Sequence, residues 1–380
     1  MNDVVIAGYV RSPFTFASKG ALARVRPDEL AAQVVRALIE RTGVDSAEVE
    51  DLMLGCAFPE GEQGLNVARV VAILSDALPI TTAGVTINRF CGSSMQAIHS
   101  AAGAIRMDAG AAFVCAGIES MSRVPMMGYN PMPHPELYAR FPAVYMGMGE
   151  TAENVARRFQ VTREAQEAFA VRSQARAAQA RDAGRLSDEI VAIDSGDGTR
   201  VEQDGCLRPE TTTEGLAGLR PAFMEGGTVT AGTSSPLTDG AAAVLVCSAD
   251  HARARGLTPL ARIRSIAVSG CEPDIMGIGP VAASRKALER AGIGVDALDV
   301  IELNEAFASQ AIACIRELGL DEDKVNIDGG AIALGHPLGA TGARITGKAA
   351  ALLVRGGGRY ALATQCIGGG QGIATVLEAM

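Results

Sequence analysis

Apolar residues recur along the chain in two patterns, one with a spacing of three or four positions and one of short uninterrupted runs. The first pattern is clear between Pro27, a residue typical of a first helical turn, and Gly43, a residue typical of the position after a last turn. This spacing predicts an amphipathic helix that starts at Pro27 and ends before Gly43. Its apolar face consists of Leu30, Val34, Val35 and Leu38.

The same arrangement occurs a second time. Residues 36–58 and 285–307 align without gaps, and each segment reads as a helix, a glycine stop and a strand. The second helix opens at Pro280 and stops at Gly292. The two segments share Arg36/Arg285, Glu40/Glu289, Arg41/Arg290, Gly43/Gly292, Leu54/Leu303, Ala57/Ala306 and Phe58/Phe307.

A further pair of similar units follows the repeat. A helix from about Ser93 leads into a strand over 112–115, and a helix from about Ala340 leads into a strand over 360–364. Helices and strands therefore alternate in both halves. This alternation predicts layered α/β domains with largely parallel strands and right-handed crossovers.

The stretch 121–237 breaks this alternation. It contains a proline- and methionine-rich segment over 124–148, one long predicted helix from about 151 through 180, and a polar segment that ends near Arg220. We interpret it as an insertion that folds over a site, although an ordinary connecting excursion fits the sequence equally well.

These patterns divide the chain into three parts. Residues 1–120 form an N-terminal half, which 238–259 complete, residues 121–237 form an inserted loop domain, and residues 260–380 form a C-terminal half. A chain of 380 residues exceeds what one hydrophobic core usually organises.

Composition narrows the class of protein. The chain is 48% apolar and 20% charged, with a net charge of −9 and no basic block. This balance argues against nucleic acid or an anionic membrane surface as a partner. The first residues show no signal segment, and charged residues or glycines interrupt every apolar stretch short of a membrane span, so a cytoplasmic location is expected.

Eight cysteines are scattered along the chain, and no pair has the close spacing of a zinc or redox site. No metal is therefore expected, and most of these cysteines should be buried apolar residues. Cys91 and Cys366 differ. Cys91 follows a strand and precedes a helix, where the partial positive charge of the helix N-terminus favours a thiolate. Cys366 ends a strand and enters the glycine-rich stretch 368–372.

His336 lies in a third glycine-rich stretch, 329–339. Glycines carry an entropic cost, so their density suggests that the main chain approaches a ligand. Glycine-rich loops also bind dinucleotides, but the glycines near Gly368 lack the required spacing and no βαβ unit follows them. No nicotinamide cofactor is expected. Asn304 ends the second repeated strand, where it either caps a turn or fixes a catalytic water.

Together these motifs resemble the thiolase family, and the resemblance extends over nearly the whole chain. Four regions match the signature regions of the family in order: the turn at Cys91, residues 304–307, residues 329–339 and residues 366–372. Further stretches, at 55–61, 208–212 and 232–235, are most similar to the branch that degrades 3-ketoacyl-CoA in bacterial fatty-acid oxidation. The resemblance implies a five-layered αβαβα fold of two similar halves, with an inserted loop domain.

The resemblance also implies roles for five residues. Cys91 would be the nucleophile that becomes acylated, and His336 the base that activates it. Cys366 would move the protons of the acetyl carbon and of the CoA thiol. Asn304 would hold a water that, with His336 Nε2, receives the enolate oxygen. The backbone N–H groups of Cys91 and Gly368 would form a second oxyanion hole.

Four residues would contact CoA, which is a substrate and not a resident cofactor. By the resemblance, Ser235 contacts the pantetheine, Arg208 lies near the adenine and phosphates, and Phe223 and Leu216 line the nucleotide side. The alternative to these CoA contacts is that Arg208 is a solvated surface charge and that Phe223 is a core residue.

The acyl end of the substrate would lie against Met148, Met276 and Phe307, where flexible thioethers suit variable chains. Short-chain biosynthetic relatives commonly place a histidine before this Met-Gly pair, whereas here Gly147 precedes Met148. We expect more room and a longer acyl range.

Several alternatives remain. A biosynthetic acetoacetyl-CoA thiolase would use the same residues in the reverse direction. A decarboxylating ketosynthase pairs its cysteine with two histidines, or with histidine and asparagine, so Cys366 argues against it. A non-catalytic acyl-CoA carrier would have lost Cys91, His336 or Cys366. The resemblance further implies a homodimer or homotetramer, and a complex with a multifunctional hydratase/dehydrogenase subunit.

Overall fold

A computed structural model describes residues 3–380, which contain twelve strands and twelve α-helices. The strands are β1 (Val4–Arg11), β2 (Thr15–Phe16), β3 (Val49–Cys56), β4 (Ala83–Ile87), β5 (Ala112–Ser120), β6 (Ile193–Asp194), β7 (Arg200–Val201), β8 (Thr238–Ser248), β9 (Ala261–Gly270), β10 (Val300–Leu303), β11 (Tyr360–Ile367) and β12 (Gln371–Glu378). The helices are α1 (Pro27–Thr42), α2 (Val67–Leu74), α3 (Ser93–Arg106), α4 (Pro135–Arg140), α5 (Met148–Arg158), α6 (Arg163–Asp182), α7 (Thr213–Ala217), α8 (Ala249–Arg255), α9 (Gly279–Ala291), α10 (Ala308–Leu318), α11 (Ala331–Leu334) and α12 (Leu338–Gly356).

The predicted repeat is present in the fold. α1 ends at Gly43 and α9 at Gly292, and both glycines are left-handed, with φ of 65° and 72°. The left-handed conformation favours glycine because it has no Cβ. Each of these helices leads into a strand, β3 in the first half and β10 in the second. α3 with β5, and α12 with β11, form the second pair of corresponding units.

Ten of the strands form one continuous sheet with two parts, and β6 and β7 pair with each other in a separate ribbon. The N-terminal part has the order β4-β3-β5-β8-β1, with β2 beside β8, and the C-terminal part has the order β9-β12-β11-β10. The parts meet where β1 and β9 pair through two residues of each strand.

The expectation of largely parallel strands is wrong. Within residues 3–380, β3 pairs in parallel with β4 and β5, and β10 with β11, while the other neighbours in the large sheet are antiparallel. Two connections explain the difference. The chain returns from the insertion through β8, which runs between β1 and β5, and the glycines at 368–370 turn β11 directly into β12.

Three hydrophobic cores hold five layers together, and the central core contacts both parts of the sheet. α1 and α2 cover the outer face of the N-terminal part, and α9 and α10 cover the outer face of the C-terminal part. α3 and α12 lie between the two parts, with Met95, Ile98 and Ile345 buried against both sheets. The order is therefore αβαβα, and the five-layered expectation is confirmed.

The long helix predicted across 151–180 is instead two helices. α5 ends at Arg158, and α6 begins at Arg163 after the side chain of Thr162 accepts a hydrogen bond from the Ala165 N–H. Between them Gln160 is left-handed, with φ of 52°. A threonine N-cap stabilises the start of a new helix, and here the Thr162 cap interrupts the helix that the sequence pattern predicts as continuous.

Close backbone contact between the halves yields a stability prediction. A Cβ on Gly117 of β5 would lie 2.2 Å from the carbonyl oxygen of Gly339 in α12. Because backbone has little freedom to yield, Gly117→Ala is expected to lower the free energy of unfolding by about 1–3 kcal/mol in urea denaturation. Gly103→Ala, in open space on α3, is the control and is expected to raise it by about 0.5–1 kcal/mol. Equal stability of the two variants would contradict this packing.

Candidate active site

Two helix N-termini meet in the central layer and define the site. α3 begins directly after the turn that carries Cys91, and α12 begins after His336 and Pro337. The Ser94 hydroxyl on α3 accepts a hydrogen bond of 2.8 Å from the Ala343 N–H on α12, which fixes the two helices to each other. Both helices direct partial positive charge toward the same region, and this arrangement favours anions there.

The turn before α3 holds Cys91 at its tip. Phe90 has a φ of 43°, a strained conformation for a residue with a side chain, which costs on the order of 1–3 kcal/mol. Hydrogen bonds compensate for this strain: the Ser93 hydroxyl donates to the Phe90 carbonyl at 2.6 Å, and the Phe90 N–H donates to Asn88 Oδ1 at 2.9 Å. The sulfur is thereby held at the start of the helix.

His336 is buried and held by side chains on both ring nitrogens. Nδ1 lies 2.6 Å from the Thr341 hydroxyl, and Nε2 lies 3.4 Å from Asn304 Nδ2. Because an amide nitrogen is a donor, this geometry leaves Nε2 as the unprotonated nitrogen. Burial, aided by the positive charge of Arg344, lowers the pKa of His336 to about 3. The imidazole is neutral at physiological pH and is available as a base.

Cys366 lies on β11 next to the glycine turn that leads into β12. The side chain of Gln365 donates a hydrogen bond to the Cys91 carbonyl, and the Gly368 N–H donates to the Cys91 sulfur. These two contacts join the cysteine loops of the two halves. Burial, and then the proximity of Cys91, raise the pKa of the Cys366 thiol well above its usual range.

Both thiols are protonated at rest. Burial raises the pKa of Cys91 to about 12, and the hydrogen bond from the Gly368 N–H opposes this shift without cancelling it. A neutral imidazole and two neutral thiols form a site without net charge. Ionisation of Cys91 therefore requires a proton acceptor and a compensating interaction with the substrate.

One cavity of 420 Å³, which we name the thiol cavity, brings the predicted groups together. Eight of the residues expected from the sequence line it: Cys91, His336, Cys366, Met148, Met276, Phe307, Phe223 and Ser235. Asn304 is buried behind His336, and its Oδ1 has no hydrogen-bond partner within residues 3–380. A buried amide oxygen of this kind suits an ordered water.

Family models match almost the whole chain. The thiolase N-terminal domain matches residues 4–250 and the thiolase C-terminal domain matches residues 257–379. The chain belongs to the thiolase family.

Other thiolases align with the full length of this chain in sequence and in structure. A 3-ketoacyl-CoA thiolase of Bacillus subtilis is 47% identical over 390 residues, with 100% of each chain covered. The solved structure of the Bacillus anthracis acetyl-CoA acetyltransferase matches with a TM-score of 0.92 and 40% identity, over 100% of this chain and 99% of that one. Human mitochondrial 3-ketoacyl-CoA thiolase in complex with CoA matches with a TM-score of 0.92 and 38% identity, over 100% and 98%. The expectation of a thiolase-type acyltransferase is confirmed.

Two residues expected to contact CoA lie apart from the thiol cavity in this thiolase. Arg208 is exposed, with its guanidinium 5.0 Å from the centre of the Phe16 ring. Leu216 lies on α7 and is buried in the core of the C-terminal half. The roles of Arg208 and Leu216 as contacts of the CoA nucleotide stay predictions. Gly368 lines a second cavity that adjoins the first at Cys91.

Sequence reasoning missed Glu119, which organises the site of this thiolase. Its buried carboxylate accepts hydrogen bonds from the N–H groups of Ala57 at 2.8 Å and Gly339 at 2.9 Å, and from the side chain of Gln63 at 2.9 Å. Glu119 thus joins the loop after β3 to the helix that follows His336. The available signal was a carboxylate near the end of a mostly apolar strand, because a buried carboxylate persists only where hydrogen-bond donors satisfy it.

Residues 3–380 were searched for a metal-binding cluster and for a membrane-spanning helix. Within residues 3–380, no three His, Cys, Asp or Glu side chains come together as a metal-binding group. In the same residues, no helix is both long enough and apolar enough to cross a membrane.

The buried His336 predicts a pH dependence of stability. Folded His336 has a pKa of about 3, whereas an unfolded histidine takes up its proton near pH 6.5. Between these values the unfolded state binds more protons, so this residue makes stability fall as the pH falls, by about 1.4 kcal/mol per pH unit. His336→Asn is expected to lose stability less steeply than the wild type between pH 6.5 and 5 in urea denaturation.

The matched control is His134→Asn, which removes an exposed imidazole at the start of α4. A wild-type slope in the His336→Asn protein would contradict the burial of a neutral imidazole at this position.

Proposed function

We propose that this thiolase cleaves 3-ketoacyl-CoA with CoA to give acetyl-CoA and an acyl-CoA that is two carbons shorter, the degradative reaction of fatty-acid β-oxidation. The observation that carries the proposal is the thiol cavity, in which two thiols and a neutral imidazole face one space. A reaction with two thioester steps needs one sulfur that holds the acyl group and a second group that moves protons.

The first step forms the acyl-enzyme. The proton of the Cys91 thiol passes to His336, and the sulfur attacks the C3 carbonyl of the substrate. The C2–C3 bond then breaks, and its electron pair forms the enolate of acetyl-CoA. Asn304, through a water at its unpartnered Oδ1, and His336 Nε2 stabilise the enolate oxygen. Each preorganised donor of this kind is worth roughly 2.7–4 kcal/mol.

The second step transfers the acyl group to CoA and regenerates the free enzyme. The Cys366 thiol gives its proton to C2 of the enolate, and acetyl-CoA leaves. A new CoA thiol then gives its proton to the Cys366 sulfur and attacks the acyl group on Cys91. The N–H groups of Cys91 and Gly368 receive the carbonyl oxygen, and the expelled Cys91 sulfur regains its proton from His336. This sequence predicts ping-pong kinetics.

We assign CoA to the loop domain, residues 121–237, and to the end of the thiol cavity that it covers. Ser235 and Phe223 line that end, and the Phe223 ring stands edge-on to Phe307 with a centroid distance of 5.8 Å. The similar human thiolase was solved in complex with CoA, which supports CoA as a ligand of this chain. Arg208, at the protein surface, suits the phosphates because they remain in solvent.

A biosynthetic acetyl-CoA acetyltransferase is the second candidate, supported by the similar Bacillus anthracis structure. The chemistry is the same and reversible, so metabolite levels set the direction. The candidates differ in acyl range: the biosynthetic enzyme would strongly prefer acetoacetyl-CoA over medium-chain 3-ketoacyl-CoA.

We further propose a homodimer formed through β4. This strand pairs with β3 alone within residues 3–380, so its outer edge presents unpaired backbone groups. Apolar side chains are exposed on and beside it, among them Val85 on β4 and Ile73 on the neighbouring α2. A second copy that adds its own β4 would satisfy the edge and cover these side chains.

The location and the larger assembly are proposals as well. All eight cysteines are free in the structure, a state typical of the reducing cytoplasm, where we place this protein. A complex with a multifunctional hydratase/dehydrogenase subunit would supply the 3-ketoacyl-CoA directly. Mass photometry of a mixture of the two proteins would detect it.

The acyl-enzyme provides a direct test. Incubation with a 3-ketoacyl-CoA in the absence of free CoA is expected to add the mass of the shortened acyl group to the protein, as measured by intact-mass spectrometry. The adduct is expected on Cys91 and is expected to disappear in Cys91→Ala. Cys271→Ser removes a half-buried thiol that does not line the thiol cavity, and it serves as the control. An adduct that persists in Cys91→Ala would refute the assigned nucleophile.

The edge strand provides a test of assembly. Val85→Lys places a charge at the exposed edge of β4 and is expected to convert the dimer into monomers in mass photometry. Val354→Lys changes an exposed valine on α12 and is expected to leave the dimer intact. A Val85→Lys protein that keeps the wild-type mass would exclude β4 as the interface.

A further inference from the structure

A third cavity, of 480 Å³, shares no lining residue with the two cavities that meet at Cys91. We name it the arginine cavity, because Arg41, Arg185 and Arg355 line it. It lies where the C-terminal half of α12 faces β1 and the loop between α8 and β9. His336 precedes the first turn of α12, so the arginine cavity and the active site lie near opposite ends of one helix.

A single buried carboxylate serves three cations of this cavity. Asp328, which is 1% exposed, forms ion pairs with Arg185 at 3.0 Å, with Lys348 at 2.9 Å and with Arg355 at 2.6 Å. Lys348 is also buried and pairs in addition with Glu189 at 2.9 Å. Asp328 therefore neutralises only part of the positive charge that surrounds it.

Arg41 adds a cation that has no carboxylate partner. Within residues 3–380 its guanidinium forms no ion pair, and its Nη1 donates a hydrogen bond to the Asp188 carbonyl oxygen at 2.6 Å. Arg11 shares Glu189 and also pairs with Asp204. The whole network consists of the cations Arg11, Arg41, Arg185, Lys348 and Arg355 and the carboxylates Asp188, Glu189, Asp204 and Asp328. Cations thus exceed carboxylates in a chain whose net charge is −9, and the cavity favours anions locally.

The guanidinium groups at the mouth of the cavity keep free donors. A guanidinium has five N–H groups. Within residues 3–380, Arg185 uses Nε toward Asp328, and Arg355 uses Nη1 and Nη2 toward the same carboxylate. The two side chains are 36% and 39% exposed, so their remaining N–H groups are accessible to a ligand.

Tyr9 brings a polar group without a partner to the same cavity. It lines the cavity and is 7% exposed, and its hydroxyl has no hydrogen-bond partner within residues 3–380. Burial, and then the negative charge of Glu189, raise the pKa of Tyr9 well above its usual range, so the hydroxyl stays a neutral donor. A buried hydroxyl of this kind suits an ordered water or a ligand.

Much of the remaining lining is apolar. It includes Ala7, Gly8, Leu257, Leu260, Ala351 and Leu352. The volume of 480 Å³ falls within the range of small-molecule sites. An inorganic ion alone would leave this apolar surface in water, whereas an organic body would cover it.

We propose that the arginine cavity binds a nucleoside phosphate, with its phosphates on Arg41, Arg185 and Arg355 and its base on Leu257 and Leu260. A phosphate presents oxygens in several directions and accepts hydrogen bonds from guanidinium groups on different elements. Here the arginines come from α1, from the segment after α6 and from α12. A carboxylate has two oxygens in one plane and would satisfy fewer of these donors. This site goes beyond the thiolase reaction, and its ligand takes no part in that reaction.

The first experiment measures the binding of ADP to the full chain by isothermal titration calorimetry. Arg41→Gln removes a cation that forms no ion pair, and Ala351→Trp fills the cavity from α12. Each variant is expected to weaken ADP binding by about tenfold. Arg253→Gln, on the exposed face of α8 and outside the lining, makes the same change of charge and is expected to keep the wild-type affinity.

ADP is also part of CoA, so Arg208→Gln separates the two sites. This variant is expected to keep the ADP affinity of the arginine cavity. An affinity that Arg208→Gln lowers, and that Arg41→Gln and Ala351→Trp leave unchanged, would place ADP in the proposed CoA site and overturn the inference. Turnover does not enter these measurements, so their failure would leave the proposed reaction standing, and an inactive enzyme would leave the arginine cavity standing.

The second experiment compares ligands on the wild-type protein. Inorganic phosphate and octanoate are each expected to bind at least tenfold more weakly than ADP, because the first lacks an apolar body and the second lacks a phosphate. Phosphate that binds as tightly as ADP would exclude a nucleoside as the occupant. Octanoate that binds more tightly than ADP would exclude a phosphate.

The third experiment does not depend on folding of the variants. 8-Azido-ADP is irradiated with the wild-type protein, and the labelled peptide is identified by mass spectrometry. Label is expected on the peptides that carry Leu257 or Ala351. Label confined to the peptide that carries Phe223 would overturn the inference.

Discussion

The carboxylate of Glu119 is the interaction on which the site depends. It lies at the end of β5, is buried, and receives N–H groups from the loop after β3 and from the first turn of α12. A buried carboxylate is costly unless every lone pair is satisfied, so these donors cannot move away independently. Since the first turn of α12 follows His336 directly, Glu119 fixes the base of one half relative to the strands of the other.

Glycines allow this arrangement. A Cβ on Gly339 would lie 2.5 Å from the Ile118 carbonyl oxygen, and a Cβ on Gly55 would lie 2.3 Å from the Ser94 nitrogen. The backbones of β3, β5, α3 and α12 therefore approach more closely than they could if these glycines carried side chains. The result is that α3 and α12 present their N-termini side by side, and each follows a reactive residue.

Burial keeps the reactive groups of the site uncharged until the substrate binds. It keeps the imidazole of His336 and the thiols of Cys91 and Cys366 neutral, with the pKa of each shifted in the direction that disfavours charge. A resting thiolate would be exposed to oxidation and to other electrophiles. Here the thiol becomes a nucleophile when a carbonyl is present to take up the developing charge, and the helix N-termini and the Gly368 N–H then stabilise it.

The sequence by itself determined the repeated helix and strand units, the glycine stops at Gly43 and Gly292, and the three candidate reactive residues, because periodicity, capping and motif are local properties of a chain. It also indicated the five layers, through the resemblance to a family. It did not determine that β8 and β12 run antiparallel to their neighbours, that Thr162 divides one expected helix into two, or that Glu119 joins the halves. The tertiary structure decided these, and it alone showed that two cavities, the thiol cavity and the one lined by Gly368, meet at Cys91. Pairing direction, the partners of a buried charge and the shape of a cavity depend on residues distant in sequence, and packing brings them together.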